Sequence, residues 1–371
     1  MLKQQKIFFD FLRFCIGSAK DIPDSLKEAD WQEIYAIAQK QALLGVLFHG
    51  IQRLPKKLAP EQKLLMQWMV MAEQIRKQNI RLFLDSVKVC KNFENKGFAN
   101  CILKGQGNAL LYPDPYMRTP GDIDIYLAGG RKRVMQYINK VCPNQVMRYH
   151  HVDFPVMKTA IEVHFTPSYM FFPWHNRRMQ RWFGKVMDLQ CSNVVMLPDG
   201  YGEITVPTTS FNVVYILSHL YRHVFTEGIG LKQLLDYYFV VVKCHTDLTN
   251  LTDSDSADLA ALQRDLKWLG LWKFAGAVMY VLHEVFGLEE DMMIVPINEK
   301  EGMFLLDEIM RGGNFGQYDD RLGDKTGEGK VHRYFRMSLR NMRFVKHYPS
   351  EAICEPLFRT WFFFWKMWNV C

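Results

Sequence analysis

Over the first ninety-odd residues apolar positions recur every three to four residues, clearest in IYAIAQKQALLGVLFHGI and QKLLMQWMVMAEQIRKQNIRLFLDSVKVCKNF, and this period predicts helices. Asp30-Trp31-Gln32-Glu33 has the form of a capping box ahead of the first run, and Pro60 suits the opening turn of the second. Asn95-Lys96-Gly97 breaks the pattern. Beyond it come the short β-type runs FANCIL, DIDIYL, RYHHVDF and AIEVHF, with one helical stretch, RKRVMQYINKV, after Gly129-Gly130. Helical periodicity returns in SFNVVYILSHLYRHVF, with Thr208, Thr209 or Ser210 available to cap it, and continues through LKQLLDYYFVVVKC, LWKFAGAVMYVLHEVF and the tail. The polar stretches TDLTNLTDSDSAD and GQYDDRLGDKTGEGK predict surface loops. The pattern thus predicts an α+β chain without internal repeats: an N-terminal helical region over 1–97, a small mixed-sheet domain over 98–206 and a C-terminal helical domain over 207–371.

Composition narrows the class. The chain has 371 residues, 49% of them hydrophobic, which excludes a disordered or fibrous protein and allows a large core. The net charge of +7 favours phosphates, nucleic acid or acidic lipid without choosing among them. None of the eight cysteines forms a CxxC pair, so neither a zinc ribbon nor a disulfide framework is indicated, and a reducing compartment fits. The start, MLKQQKIFFDFLRFCIGSAK, imitates a signal peptide, but Asp10 and Arg13 interrupt its apolar run, and it reads as a helix of the mature protein. No apolar stretch approaches the roughly 20 residues that cross a bilayer, so the expected location is cytoplasmic.

The candidate chemistry lies in DIDIYL. In a strand Asp122 and Asp124 share one face, with Cα atoms roughly 6.6 Å apart, and Ile123, Ile125 and Leu127 share the other. Carboxylates this close raise one another's pKa unless a cation lies between them. A divalent ion such as Mg²⁺, or Mn²⁺ in its place, takes hard oxygen ligands of this kind together with substrate phosphates. A third carboxylate, Glu162 on AIEVHF, would complete a two-ion site if the two strands are neighbours. A bare Asp-x-Asp is otherwise an exposed edge. Here its surroundings are Lys104-Gly105 after a strand, the turn-rich YPDP, Arg118 and Gly121. Gly105 permits close backbone approach to a ligand, amides of the next helix face an anion favourably, and Arg118 offers a phosphate-matching fork.

These residues resemble the polymerase-β-type nucleotidyltransferase superfamily, and more closely the bacterial group of uncharacterised nucleotidyltransferases in which Leu-Lys-Gly precedes Tyr-Pro-Asp-Pro, an Arg and Gly-Asp-Ile-Asp. The resemblance covers Leu103 to Pro167. It implies that Asp122, Asp124 and Glu162 bind Mg²⁺ or Mn²⁺ and catalyse transfer of a nucleoside monophosphate from an NTP to a hydroxyl-type acceptor, releasing pyrophosphate. Lys104, Gly105, Gln106 and Arg118 would meet the nucleotide, with Gln106 standing where the superfamily has Gly or Ser. The alternative is a nucleotide-binding regulatory module with little turnover.

Other residues admit two readings each. His164 shares the face of Glu162 and either orients the acceptor or fills the cleft. Asp236, within the apolar LKQLLDYY, is either an acceptor-site acid or a buried acid paired with a neighbour. His219 and His223 have the four-residue spacing of metal ligands, but also of a packed helix face. Arg333, Arg336, Arg340, Arg343 and Lys346 make a basic stripe at steps of three and four: a solvated face, or a site for nucleic acid, acidic lipid or a phosphorylated acceptor. The aromatic end, RTWFFFWKMWNVC, packs on the helical domain or joins the stripe as an interfacial anchor.

Overall fold

A computed structural model describes residues 3–249, 255–322 and 329–369. Four helices open the chain: α1 (Lys3–Ile16), α2 (Trp31–Lys40), α3 (Leu44–Ile51) and α4 (Gln62–Glu94). Helix α1 buries Phe8, Phe11 and Leu12 against α3 and α11 (Trp272–Phe286). The Asp30 side chain caps α2 by accepting from Gln32 N and Glu33 N. The single run expected after it is two helices, because the chain turns at Gln41–Leu43 with Ala42 at φ +56°. No glycine or proline marks that turn in the sequence.

Helix α4, 33 residues or about 50 Å long, ties the molecule together. Its first half, with Leu64, Trp68, Ala72 and Ile75, belongs to a core shared by the N-terminal helices, α7 (Pro173–Gln190), α8 (Thr209–Thr226), α9 (Leu231–Thr249), α11 and α12 (Glu299–Gly312). Its second half, with Leu82, Phe83, Val89 and Phe93, joins a separate core under the sheet.

The sheet runs β1 (Asn100–Ile102), β2 (Ile123–Leu127), β4 (Ile161–His164) and β3 (His151–Asp153) in that spatial order, with β2 and β4 parallel and both outer pairs antiparallel. Ile123, Ile125, Leu127, Ile161, Val163 and Val152 all point into the second core, where Val134 and Ile138 of α6 (Gly130–Val141) meet them. The opposite face is free to carry polar groups. A second, two-stranded sheet pairs β5 (Val194–Met196) with β6 (Glu203–Thr205). The expectation of an α+β chain with a small mixed sheet holds, whereas α7 and the β5–β6 hairpin were not foreseen.

Of the first predicted loop, 246–258, both ends are helical: α9 runs through Thr249 and α10 (Asp255–Trp268) begins within it. A Lys243–Asp247 ion pair one turn apart, and bonds from the Thr246 and Thr249 hydroxyls to carbonyls one turn back, sustain α9. The second, 316–330, lies partly outside the described residues. The chain closes with α13 (Lys330–Met342) and α14 (Pro349–Asn369). Among the described residues no helix is long and apolar enough to cross a membrane.

Candidate active site

The register of β2 on β4 sets Asp124 opposite Glu162 and Tyr126 opposite His164, while β3 brings Asp153 opposite Glu162 and His151 opposite His164. Paired residues share a face, so the period of two that sends the isoleucines inward places Asp124, Glu162, His164 and His151 on the outer one. Asp122 sits one residue ahead of β2, half-buried. The ligand atoms of Asp124, Glu162 and His164 all lie within 4.8 Å of one another. Octahedral ligands held at about 2.1 Å stand at most about 4.2 Å apart, so a divalent cation fits after small side-chain shifts. Among the described residues, the ligand groups that meet this distance do not include Asp122.

Both oxygens of Asp124 have partners: Lys104 Nζ lies 2.9 Å from Oδ2, and His164 Nε2 2.9 Å from Oδ1. Burial alone would raise this carboxyl, but the Lys104 ammonium and the His164 contact hold it well below the usual range. Asp122 lacks such partners and is pushed up to about 6, mainly by the charge on Asp124 and then by burial. Glu162 is held down against burial by His164, which lies 3.6 Å away. For Lys104 and His164 burial favours the neutral form, yet the surrounding carboxylates win and keep both raised. The site is thus an acid cluster with cations already drawn into it.

Gly105 makes the approach possible. It turns the chain at φ +62°, between β1 and the short helix α5 (Gln106–Ala109), and its Cα side lies close to the Asp122 carbonyl. Gln106 is fully buried, and neither amide atom has a hydrogen-bond partner.

Arg118 and Asp236 meet each other. Arg118 Nε and Nη2 each donate to Asp236 at 2.7 Å, and the Tyr112 hydroxyl donates at the same distance. Both charged residues are more than nine-tenths buried. This is the paired-acid reading of Asp236, and Arg118 spends two of its donors on it. Arg118 Nη1 is buried without a partner, and Asp122 is close enough to act on Arg118 electrostatically. Asn79 of α4 fixes the approach, donating to the carbonyls of Tyr116 and Arg118 at 2.8 Å.

Sequence reasoning missed four neighbours. Lys232, one turn before Asp236 and 3.9 Å from it, is brought down to about 8 by burial and by Arg118. Arg222 lies between His219 and His223 on α8, contacts both at 3.2 Å, and reaches His150 at 2.5 Å. His150 in turn touches His151 (3.2 Å), whose imidazole lies 3.4 Å from Glu162 and is held down to about 3 by burial and His164. His219 reaches Lys104 at 3.3 Å. The His219–His223 pair therefore lies in a cationic layer behind the acids, and among the described residues no metal-ligand group includes it. The adjacent histidines of RYHHVDF and the arginine inside HLYRH were the available signals.

No curated protein and no solved structure matches the chain. A family model described as an uncharacterised nucleotidyltransferase matches residues 27–287, from α2 through α11 and across the whole acid-bearing sheet, and the chain belongs to that family.

Proposed function

We propose that the protein is a metal-dependent nucleotidyltransferase of the polymerase-β type that moves a nucleoside monophosphate from an NTP to a hydroxyl-type acceptor. The observation that carries this reading is the alignment of Asp124 with Glu162 on adjacent parallel strands, beside Lys104 and the Gly105 turn. Asp124 and Glu162, with His164 and the nearby Asp122, would hold Mg²⁺ or Mn²⁺. Such an ion supplies charge neutralisation at the phosphates and lowers the pKa of the attacking hydroxyl. Lys104, whose ammonium contacts Asp124, would meet a phosphate oxygen of the NTP. Gly105 leaves room for the phosphate against the backbone, and Gln106 has unsatisfied amide groups at the same turn. The new bond joins acceptor oxygen to the α-phosphorus, the bond to pyrophosphate breaks, and the hydroxyl proton passes to Glu162. Positioning and electrostatics would carry the rate.

A second reading, a nucleotide-binding regulator with little turnover, is favoured by one observation: Lys104 and His164 already occupy both oxygens of Asp124. Incubation with each labelled NTP, Mg²⁺ or Mn²⁺ and a cell extract, followed by mass analysis of whatever gains a nucleotide, separates the two. Enzymatic function predicts transfer that Asp122→Asn or Asp124→Asn lowers by several kcal/mol, about a thousandfold. Tight NTP binding without transfer supports the regulator, and unchanged NTP consumption by both variants refutes the site.

A further inference from the structure

Helices α13 and α14 pack as an antiparallel hairpin. Tyr334 Oη donates to the Pro356 carbonyl at 3.2 Å, Arg359 Nη2 donates to Ser338 Oγ at 3.3 Å, and Asn341 Nδ2 donates to Glu355 Oε2 at 2.8 Å. Away from this seam each helix carries an apolar row. Val331, Phe335, Leu339 and Met342 are 60–71% exposed, and Ile353, Leu357, Trp361 and Phe364 are 49–63% exposed. At 3.6 residues per turn the α13 row falls about a quarter turn from the seam and the α14 row over a third of a turn from it, in the same sense of rotation, and exposed Phe363 and Met367 fill the α14 surface between seam and row, so that in an antiparallel pair of right-handed helices the apolar surface continues from one helix to the other.

The arginine side of α13 is the one turned inward. Arg340 is buried, and Arg343 contacts Asp319 at 3.3 Å and Glu308 at 3.4 Å. A surface helix ordinarily buries its apolar stripe; this hairpin presents it to solvent. Charge indicates what covers it. Residues 329–371 hold eight lysines and arginines against two acids, Glu351 and Glu355, so the rest of the chain carries a single net positive charge out of the total of +7. Both acids are buried. Two copies meeting through such faces would repel, and a nucleic acid would meet phenylalanine and tryptophan where it needs donors. An anionic bilayer answers both features: the apolar rows enter the acyl boundary, and exposed Lys346, just past α13, and exposed Arg148, close enough to Lys366 of α14 to act on it electrostatically, meet headgroup phosphates. Aromatic rings suit that depth. A cavity of about 400 Å³, lined by Tyr149, Met170, Phe171, Leu357, Phe358 and Trp361, continues the α14 row into the body and offers apolar room beside it.

We infer that the α13–α14 face seats the protein on the surface of an anionic lipid bilayer. The test is flotation of the full-length protein with vesicles of phosphatidylcholine alone or with one third phosphatidylglycerol, at low and high salt. Binding to the anionic vesicles is expected, weakened by salt. The double variant Phe335→Glu/Leu339→Glu should lower the bound fraction about tenfold or more, with circular dichroism unchanged. A control, Met69→Glu/Val70→Glu, alters exposed apolar positions on α4 and should leave binding intact. Absence of binding to anionic vesicles at low salt, or equal binding by the hairpin variant, overturns the inference. So does a wild-type dimer in light scattering that the hairpin variant dissolves, since a second copy would then be the cover.

Discussion

Two buried aspartates, Asp124 and Asp236, come from different parts of the chain, and their surroundings differ in kind. Asp236 is closed: a bidentate arginine, a tyrosine hydroxyl and a nearby lysine leave its oxygens fully engaged among helices. Asp124 is also engaged, by Lys104 and His164, but Glu162 and Asp122 crowd it with further negative charge, and Asp122 responds by rising to about 6. Matched charge marks a structural acid. Surplus negative charge around an already satisfied acid is a strain that an added cation would relieve.

The comparison can be broken in order of expected effect. Asp236→Leu strands the Arg118 guanidinium in the interior and should cost about 3–5 kcal/mol of stability by denaturant titration, whereas the Asp124→Asn loss should fall on transfer activity. Asp122→Asn sharpens the contrast through pH. A carboxyl whose folded pKa is raised contributes nothing below its unfolded value near 4 and destabilises increasingly as pH rises toward 6. Without added divalent ion, wild type should therefore lose stability relative to Asp122→Asn between about pH 4 and pH 6, a difference that thermal melts across that window would read. His164→Gln removes a contact that orients Asp124 and should weaken Mn²⁺ affinity about 10–100-fold by calorimetry. Tyr112→Phe deletes one bond to Asp236 while Arg118 keeps the rest, at about 1.5 kcal/mol. Equal stability losses for Asp122→Asn and Asp236→Leu would erase the distinction between the two centres.

Much of the sheet was legible because one face is apolar. Ile123, Ile125, Leu127, Ile161 and Val163 alternate with the acids, so their burial dictates where Asp124 and Glu162 point. The Asp30 cap and the break at Gly97 were legible for the same local reason. What was not legible is long-range. Arg118 and Asp236 are distant in sequence, and nothing local says that they pair. Lys232 matters only because α9 brings it beside that pair. The arginine stripe was visible on one face of α13, but its inward direction follows from Glu308 and Asp319, acids of another segment. Helix α7 was hidden by its aromatic, β-like opening, although Pro173 sits at its start. The hairpin of β5 and β6 had a usable signal in Pro198-Asp199-Gly200, with Asp199 at φ +51°.

The parallel pairing of β2 with β4 has one more consequence. Because neighbouring positions on a strand look in opposite directions, a slip of β4 by a single residue against β2 would swing Glu162 into the hydrophobic layer and Val163 out to the polar face. The address of Glu162 is thus a matter of parity, and β4 tolerates changes of side chain far better than changes of register.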